Sequence, residues 1–249
     1  MNANFPERGQ FRPWILGHRG TRRDAPENTL LAFKHAMAAG ADGVELDVRL
    51  ARDEEVVVCH DRDLARVTEG RDHRAISEVD SNVLRQVDLG RDQGIPTLRE
   101  VLVWATAAGA MLNVELKTDG ENLLTLARAI ARLNRAHAVE GAPRVLYSSF
   151  HLGALLWLIA LRVNGLFALL IPPGKGRLAR LPVYRMLGLN GVHPAGELLD
   201  PTSVQRWHSQ GLFVGTWTIN DDATLRRASE SGADIIITDE PELARRTLT

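Results

Sequence analysis

The chain has 249 residues, of which 45% are hydrophobic and 24% are charged, the composition of an ordinary globular protein. Its 30 basic and 31 acidic residues nearly balance, so its charge offers no argument for binding nucleic acid. A single cysteine, Cys59, excludes a disulfide within one chain and suits a reducing, cytoplasmic location.

Strand-like and helix-like segments alternate along the chain. The predicted strands, in chain order, are WILGH (14–18), GVELDV (43–48), MLNVELK (111–117), RVLYSSF (144–150), LFALLI (166–171), GVHP (191–194), LFVGTWTI (212–219) and ADIIITD (233–239). The predicted helices between them include ENTLLAFKHAMAAG (27–40), TLREVLVWATAAG (97–109), NLLTLARAIARLN (122–134), DPTSVQRWHSQG (200–211) and DDATLRRASESG (221–232). Eight strands alternating with helices predict an α/β fold, and the count favours a closed (β/α)8 TIM barrel over an open sheet.

The ends of these helices carry recognisable cap residues. Several of the helical patterns end in glycine, which favours the left-handed conformation of a helix C-terminus. Thr97, Asp200 and Asp221 stand where N-caps are expected, and Asp239 is predicted to cap the last helix.

Residues 59–96 interrupt the alternation of strands and helices. This stretch is polar, rich in turn residues and without the pattern of a further barrel strand. We predict a small insertion after strand two, within a single domain that spans residues 1–249.

Neither the start of the chain nor its most apolar run predicts a membrane protein. Residues 1–14 lack the charged start and apolar core of a secretory signal. The run LGALLWLIAL, residues 152–161, is too short to span a bilayer and is followed by an arginine. We therefore expect a buried helix there, no stable membrane insertion and a cytoplasmic protein.

Two of the predicted strands carry charged side chains on one face. Side chains alternate in an extended strand, so Glu45 and Asp47 lie opposite the apolar face of GVELDV. Glu115 and Lys117 likewise share one face of NVELK. An ion pair would account for Glu115 and Lys117 alone, but three acids against one lysine leave negative charge uncompensated without Arg19 or a cation. Buried charges persist mainly when they are paired or bound to a metal.

The charged and titratable residues gather where a barrel enzyme has its active site, at the carboxyl ends of the strands. His18 and Arg19 end strand one, and His60 follows a short apolar run after strand two. Three carboxylates without a thiolate suit a hard cation such as Mg²⁺ or Ca²⁺. Arg19 and Lys117 suit a phosphate, and the two histidines can exchange protons near neutral pH. This combination indicates phosphoester cleavage.

A series of short motifs runs from Gly17 to Pro241. In order, the motifs read GHRG, PENTLLAF, GADGVELDV, VVCHDRDLARVTEG, IPTLREVL, NVELK, SSF, WTIN and GADIIITDEP. The series resembles the bacterial glycerophosphodiester phosphodiesterases. The resemblance implies a TIM barrel that hydrolyses a small-molecule glycerophosphodiester to sn-glycerol 3-phosphate and an alcohol. It also implies one divalent cation, Mg²⁺, Ca²⁺ or Mn²⁺.

The resemblance further implies roles for nine residues. The implied metal ligands are Glu45, Asp47 and Glu115. The implied acid–base pair is His18 and His60, the phosphate contacts are Arg19 and Lys117, and the PENT turn that supports the site supplies Glu27 and Asn28. A tenth residue, Trp217, is placed by strand alternation, either in the core or, as we predict, as an apolar wall for the glycerol moiety.

Two other functions stay open at this point. One is a phospholipase D-like transesterase that releases a cyclic phosphate, and the other is a non-catalytic barrel that binds phosphate. The presence of both histidines and all three acids favours an active enzyme. The sequence leaves open the head-group alcohol, the physiological metal, the oligomeric state and which histidine is the acid.

Overall fold

The structure of the chain is a computed structural model that describes residues 12–21, 23, 25–137, 144–175 and 183–249. The strands in this part are β1 (Trp14–His18), β2 (Gly43–Leu50), β3 (Val56–Val58), β4 (Met111–Leu116), β5 (Val145–Ser149), β6 (Leu166–Ile171), β7 (Gly191–Pro194), β8 (Phe213–Thr216) and β9 (Ile235–Thr238). The α-helices are α1 (Leu30–Ala38), α2 (Ser81–Leu84), α3 (Leu98–Ala108), α4 (Leu123–Ala136), α5 (Leu152–Ala160), α6 (Pro201–Ser209), α7 (Asp222–Glu230) and α8 (Pro241–Leu248).

The strands other than β3 form a closed parallel ring. Their order is β1, β2, β4, β5, β6, β7, β8 and β9, and β9 pairs again with β1. Within the described residues, helices follow every ring strand except β6, so the predicted (β/α)8 TIM barrel is confirmed. Short β3 pairs antiparallel with the end of β2, where Val58 lies opposite Val48, and it stays outside the ring.

The apolar core has two layers, as strand alternation requires. Outward-facing side chains such as Val44, Leu46 and Val114 pack in the large core cluster with the helices. A second cluster, which includes Leu16 and Met111 from the alternate positions, fills the barrel interior. The charged residues of β2 and β4 share the inward face with this second cluster. These charged residues are therefore buried inside the barrel, near the carboxyl ends of the strands.

The predicted insertion is present and has a small core of its own. Its buried members are Ala51, Val57, Cys59, Leu64, Ile76, Val79, Leu84 and Ile95. The insertion begins earlier than the predicted residue 59, because β3 is already part of it. The single domain over residues 1–249 stays a prediction. So does the absence of a secretory signal in residues 1–14, because residues 1–11 lie outside the described part.

Most of the predicted helix caps are in place. The hydroxyl of Thr97 and the carboxylates of Asp200 and Asp221 accept hydrogen bonds from the first turns of α3, α6 and α7. The prediction for Asp239 is wrong, because the N-cap of α8 is Glu240 and no side chain caps that helix. The carboxylate of Asp239 turns instead toward the mouth of the barrel.

The apolar run at residues 152–161 forms helix α5, as predicted. Ala154, Leu155 and Leu158 are buried, while Trp157 is 43% exposed. Within the described ranges, no helix combines the length and the apolar character needed to cross a bilayer.

Candidate active site

Three carboxylates from two neighbouring strands meet inside the barrel mouth. Glu45 and Asp47 lie on β2, and Glu115 lies on β4 directly opposite Asp47 in the strand register. One oxygen from each carboxylate lies within 4.8 Å of the others. All three side chains are buried, so the alternation of β2 and β4 has brought the acids together away from water.

Two cations border this carboxylate cluster (Glu45, Asp47 and Glu115). The Lys117 ammonium lies 2.9 Å from Asp47 Oδ1 and 2.5 Å from Glu115 Oε1. The Nε of Arg19 lies 3.3 Å from Asp47 Oδ2. Asp47 therefore has two positive partners. Among the residues that the structure describes, the side-chain nitrogen nearest to Glu45 in an ion pair is His18 Nε2, at 4.0 Å.

The pKa values reflect this uneven compensation. Burial, together with the charges of Asp47 and Glu115, raises the pKa of Glu45 well above its ordinary value. Burial and the charge of Asp47 also raise the pKa of Glu115, to about 7. Burial acts on Asp47 in the same direction, but Lys117 and Arg19 outweigh it and lower the pKa of Asp47 to about 2. The cluster thus holds more negative charge than its neighbours offset.

The residues of the cluster fit a hard divalent cation. Three carboxylates provide only oxygen donors, which Mg²⁺, Ca²⁺ and Mn²⁺ prefer. Burial raises the pKa values of Glu45 and Glu115, and the nearby Lys117 and Arg19 do not offset the effect fully. A bound dication would supply further positive charge.

The turn before α1 holds Asp47 in place. Asn28 has a left-handed backbone with φ of 59°, and its backbone N–H donates to the Arg19 carbonyl at 2.9 Å. Its side-chain amide donates to Asp47 Oδ2 at 2.9 Å and accepts from the Asp47 backbone N–H at 3.3 Å. Glu27, beside it, accepts from Arg19 at 2.9 Å. The PENT turn thus contacts both a carboxylate of the cluster and one of its cations.

His18 lies at the end of β1, between the cluster and the carboxylate of Asp239, which directly follows β9. Its Nδ1 is 2.8 Å from Asp239 Oδ1, and its Nε2 is 4.0 Å from Glu45 Oε2. An ionised carboxylate only accepts hydrogen bonds, so Nδ1 is the donor to Asp239, and a neutral imidazole in this orientation would present the lone pair of Nε2 toward the cluster. Asn220 fixes Asp239 by donating to Oδ2 at 2.8 Å and accepting from the Asp239 backbone N–H at 2.9 Å.

His60 stands just after β3 and has a carboxylate partner of its own. Its Nδ1 is 2.6 Å from Asp61 Oδ1, and Arg66 Nε donates to Asp61 Oδ2 at 2.5 Å. Arg49, which is buried, donates to the His60 carbonyl oxygen at 2.8 Å. Burial lowers the pKa of His60 below its ordinary value, although the charge of Asp47 opposes this effect. Each histidine therefore has its Nδ1 on an aspartate.

A cleft of about 340 Å³ opens at the mouth beside the cluster. His60, Glu115 and Lys117 line it together with Phe150, which is 44% exposed. Trp217 packs edge-on against Phe150 with 5.3 Å between ring centroids, and its Nε1 donates to the His193 carbonyl oxygen at 2.8 Å. Trp217 thus supports an aromatic wall, and its predicted contact with glycerol stays a prediction.

The sequence pattern of the Glycerophosphoryl diester phosphodiesterase family matches residues 18–243. The chain belongs to this family. The predicted resemblance is therefore confirmed over most of the chain.

Members of the glycerophosphoryl diester phosphodiesterase family from bacteria are similar over nearly their full length. A glycerophosphodiester phosphodiesterase of Caldanaerobacter subterraneus is 29% identical, with 92% of this chain and 94% of the relative covered. One of Bacillus altitudinis is 30% identical, with 92% and 96% covered. A solved Oleispira antarctica phosphodiesterase in complex with the product sn-glycerol-3-phosphate is 28% identical, with a TM-score of 0.83 and coverage of 95% and 97%.

The structure brings the nine residues of the family resemblance to one mouth, and their individual roles stay predictions. Sequence reasoning missed Asp61, Arg66 and Asp239 as members of the site, although each forms a side-chain contact with a side chain of this set. Asp61 follows His60 directly, and Asp239 follows the last strand, so position at a strand end was the available signal for both. Arg66 lies in the insertion and offered no such signal.

Proposed function

We propose that this chain hydrolyses glycerophosphodiesters to sn-glycerol 3-phosphate and an alcohol, with the help of one divalent cation. The observation that carries the proposal is the buried carboxylate cluster, flanked by two cations and two histidine–aspartate pairs at one barrel mouth. The family to which the chain belongs and the product named for the Oleispira antarctica relative support the choice of substrate class.

The cation would be held by Glu45, Asp47 and Glu115. When bound, a dication acts as a Lewis acid and offsets negative charge at the phosphoryl group. Asp47 and Glu115 are also the partners of Lys117, and as ligands they would share their negative charge between the cation and this ammonium. The ammonium of Lys117 would then be available to an anionic ligand.

Arg19 and Lys117 would bind the phosphate and stabilise the charge that grows on its oxygens during the reaction. Both side chains lie beside the cluster, with Arg19 14% and Lys117 12% exposed. Arg19 offers a planar set of N–H donors that matches a phosphate, and Lys117 offers a point charge.

His18 and His60 would move the two protons that hydrolysis requires. One imidazole accepts the proton of the attacking oxygen, and the other donates a proton to the departing alcohol. With Nδ1 on Asp239, His18 presents Nε2 toward the cluster. His60 lines the cleft next to it, with Nδ1 on Asp61. The assignment of acid and base between them stays open.

The product distinguishes hydrolysis from the alternatives. Glycerophosphocholine incubated with the protein and Mg²⁺ should give the ³¹P resonance of sn-glycerol 3-phosphate, and a phosphomonoesterase should then release inorganic phosphate from it. A cyclic phosphate that resists the monoesterase would identify a transesterase. No turnover of any glycerophosphodiester with Mg²⁺, Mn²⁺ or Ca²⁺ would indicate a binding barrel. We further propose a small-molecule substrate as the main partner and a cytoplasmic location.

A further inference from the structure

Arg66, in the insertion, contacts two carboxylates of the candidate active site. Its Nε donates to Asp61 Oδ2 at 2.5 Å. Its two terminal nitrogens donate to Glu27, at 2.6 Å to Oε1 and at 3.1 Å to Oε2. Glu27 and Asp61 come from segments that lie on opposite sides of β2 in the chain. One guanidinium therefore joins the PENT turn to the segment that carries His60.

Glu27 and Asp61 each form a hydrogen bond with a residue of the proposed mechanism. Glu27 Oε1 also accepts from Arg19 at 2.9 Å, and Asp61 Oδ1 lies 2.6 Å from His60 Nδ1. The contacts form a chain that runs Arg19, Glu27, Arg66, Asp61, His60. Glu27 is only 11% exposed, so its charge interacts in surroundings that water screens weakly.

The shared carboxylate affects how Arg19 can act. Glu27 shares its one negative charge between Arg19 and Arg66 among the described residues, so it does not neutralise Arg19 alone. Part of the charge of Arg19 then remains for an anionic ligand. On the other side, Arg66 fixes the plane of the Asp61 carboxylate, and this orients the oxygen that accepts from His60.

The backbone that carries Arg66 is held independently of its side chain. Leu64 and Thr68, on either side, are buried in the insertion. The Thr68 hydroxyl donates to the Leu64 carbonyl at 2.8 Å, and its backbone N–H donates to the same oxygen at 3.0 Å. A change confined to the head group of residue 66 should therefore leave this turn folded.

We propose that Arg66 is a positioning residue that sets Arg19 for phosphate binding and His60 for proton transfer. The insertion thus acts on both through one side chain. The part of the proposal that concerns His60 rests on the proposed function. The part that concerns Arg19 can be tested by phosphate binding, without any turnover. A lysine at this position keeps the positive charge but lacks the planar fork that reaches two carboxylates.

The test compares Arg66→Lys with the matched control Arg74→Lys. Arg74 is also in the insertion, is 52% exposed and holds Asp72 at 2.6 Å, away from the site. Calorimetry of Mg²⁺-loaded protein with inorganic phosphate should show weaker binding for Arg66→Lys, and turnover of glycerophosphocholine should fall, each by roughly 10-fold to 100-fold, as for loss of an outer-shell partner. Arg74→Lys should match the wild type in both, and thermal unfolding should be similar for the two variants.

Double-mutant cycles separate positioning from a general structural effect. If Arg66 acts through Asp61, Arg66→Lys should add little further loss of turnover to an Asp61→Asn protein. If it acts through Glu27, it should add little loss of phosphate affinity to Glu27→Gln. Additive losses in both backgrounds, or wild-type phosphate affinity in Arg66→Lys, would overturn the proposal. If the wild type does not cleave glycerophosphocholine, the proposed function fails, and phosphate affinity together with the His60 imidazole NMR signals still decides the role of Arg66.

Discussion

Replacing Glu115 by Gln is expected to remove Mg²⁺ binding and most of the turnover while the barrel stays folded. Glu115 supplies one of three carboxylates whose oxygens lie within 4.8 Å of one another. A neutral amide is a poorer ligand for a dication, and the remaining acids cannot replace it. The loss should exceed the roughly 10-fold to 100-fold cost of removing an outer-shell partner. Titration calorimetry with Mg²⁺ measures the binding directly.

The same substitution should change how stability depends on pH in the cation-free protein. The pKa of Glu115 rises from 4.5 to about 7 on folding, because the side chain is buried beside Asp47. The native state then binds more protons than the unfolded state, so this group's contribution to stability is lost as pH rises from about 4.5 through about 7. The variant Glu115→Gln has no carboxylate to ionise at this position, so its stability should not fall in this way. Above pH 7, with a chelator present, the variant should therefore unfold at a higher urea concentration than the wild type.

A suitable control for Glu115→Gln is Glu100→Gln. Glu100 lies in the first turn of α3, where it belongs to the capping box with Thr97 and pairs with Arg85. It is not part of the carboxylate cluster, so its loss should leave Mg²⁺ affinity unchanged. If Glu115→Gln binds Mg²⁺ as tightly as the wild type, Glu115 is not a ligand. Identical pH dependence of unfolding in wild type and Glu115→Gln would contradict the raised pKa.

His18→Ala and His60→Ala are each expected to reduce kcat for glycerophosphocholine by about 10²- to 10⁴-fold, the usual cost of losing a general acid or base. Each imidazole holds its Nδ1 on an aspartate and lies at the mouth of the barrel. Steady-state kinetics with saturating Mg²⁺ provides the measurement, with KM determined separately. Near-normal turnover of either variant would assign that histidine a structural role.

Two further variants make the histidine test specific. His208 also pairs with an aspartate, with 2.8 Å from its Nε2 to Asp234, but it lies on α6 and contacts no residue of the proposed mechanism. His208→Asn should therefore keep its turnover. Asp239→Asn leaves His18 in place but removes the anionic acceptor at Nδ1, so it should cause part of the loss seen in His18→Ala.

The barrel could be predicted because its signals are local and repeated. Each of the eight ring strands follows the predicted apolar runs, and exact two-residue alternation on β2 and β4 predicted that Glu45, Asp47 and Glu115 would share the interior. The early start of the insertion was not predicted. Three valines, Val56–Val58, are too short a run to be distinguished from a loop, and only their pairing with β2 makes them a strand.

The partners of the histidines were harder to predict, because they depend on contacts between distant parts of the chain. Asp239 precedes a proline-started helix, which is also the pattern of an N-cap, and its pairing with His18 spans 221 positions. Arg66 is 47% exposed and resembles any surface arginine until the fold brings Glu27 next to it. The contact between His18 and Asp239 follows from the closure of the ring, which places β9 beside β1.

The most direct test of a cation-dependent hydrolase is the release of sn-glycerol 3-phosphate after exhaustive chelation, with elemental analysis of the same sample. The carboxylate cluster predicts no turnover in the metal-free protein and recovery on adding Mg²⁺, Mn²⁺ or Ca²⁺. Glu115→Gln should show no comparable recovery. Full turnover by wild-type protein in which elemental analysis detects no metal would contradict the account.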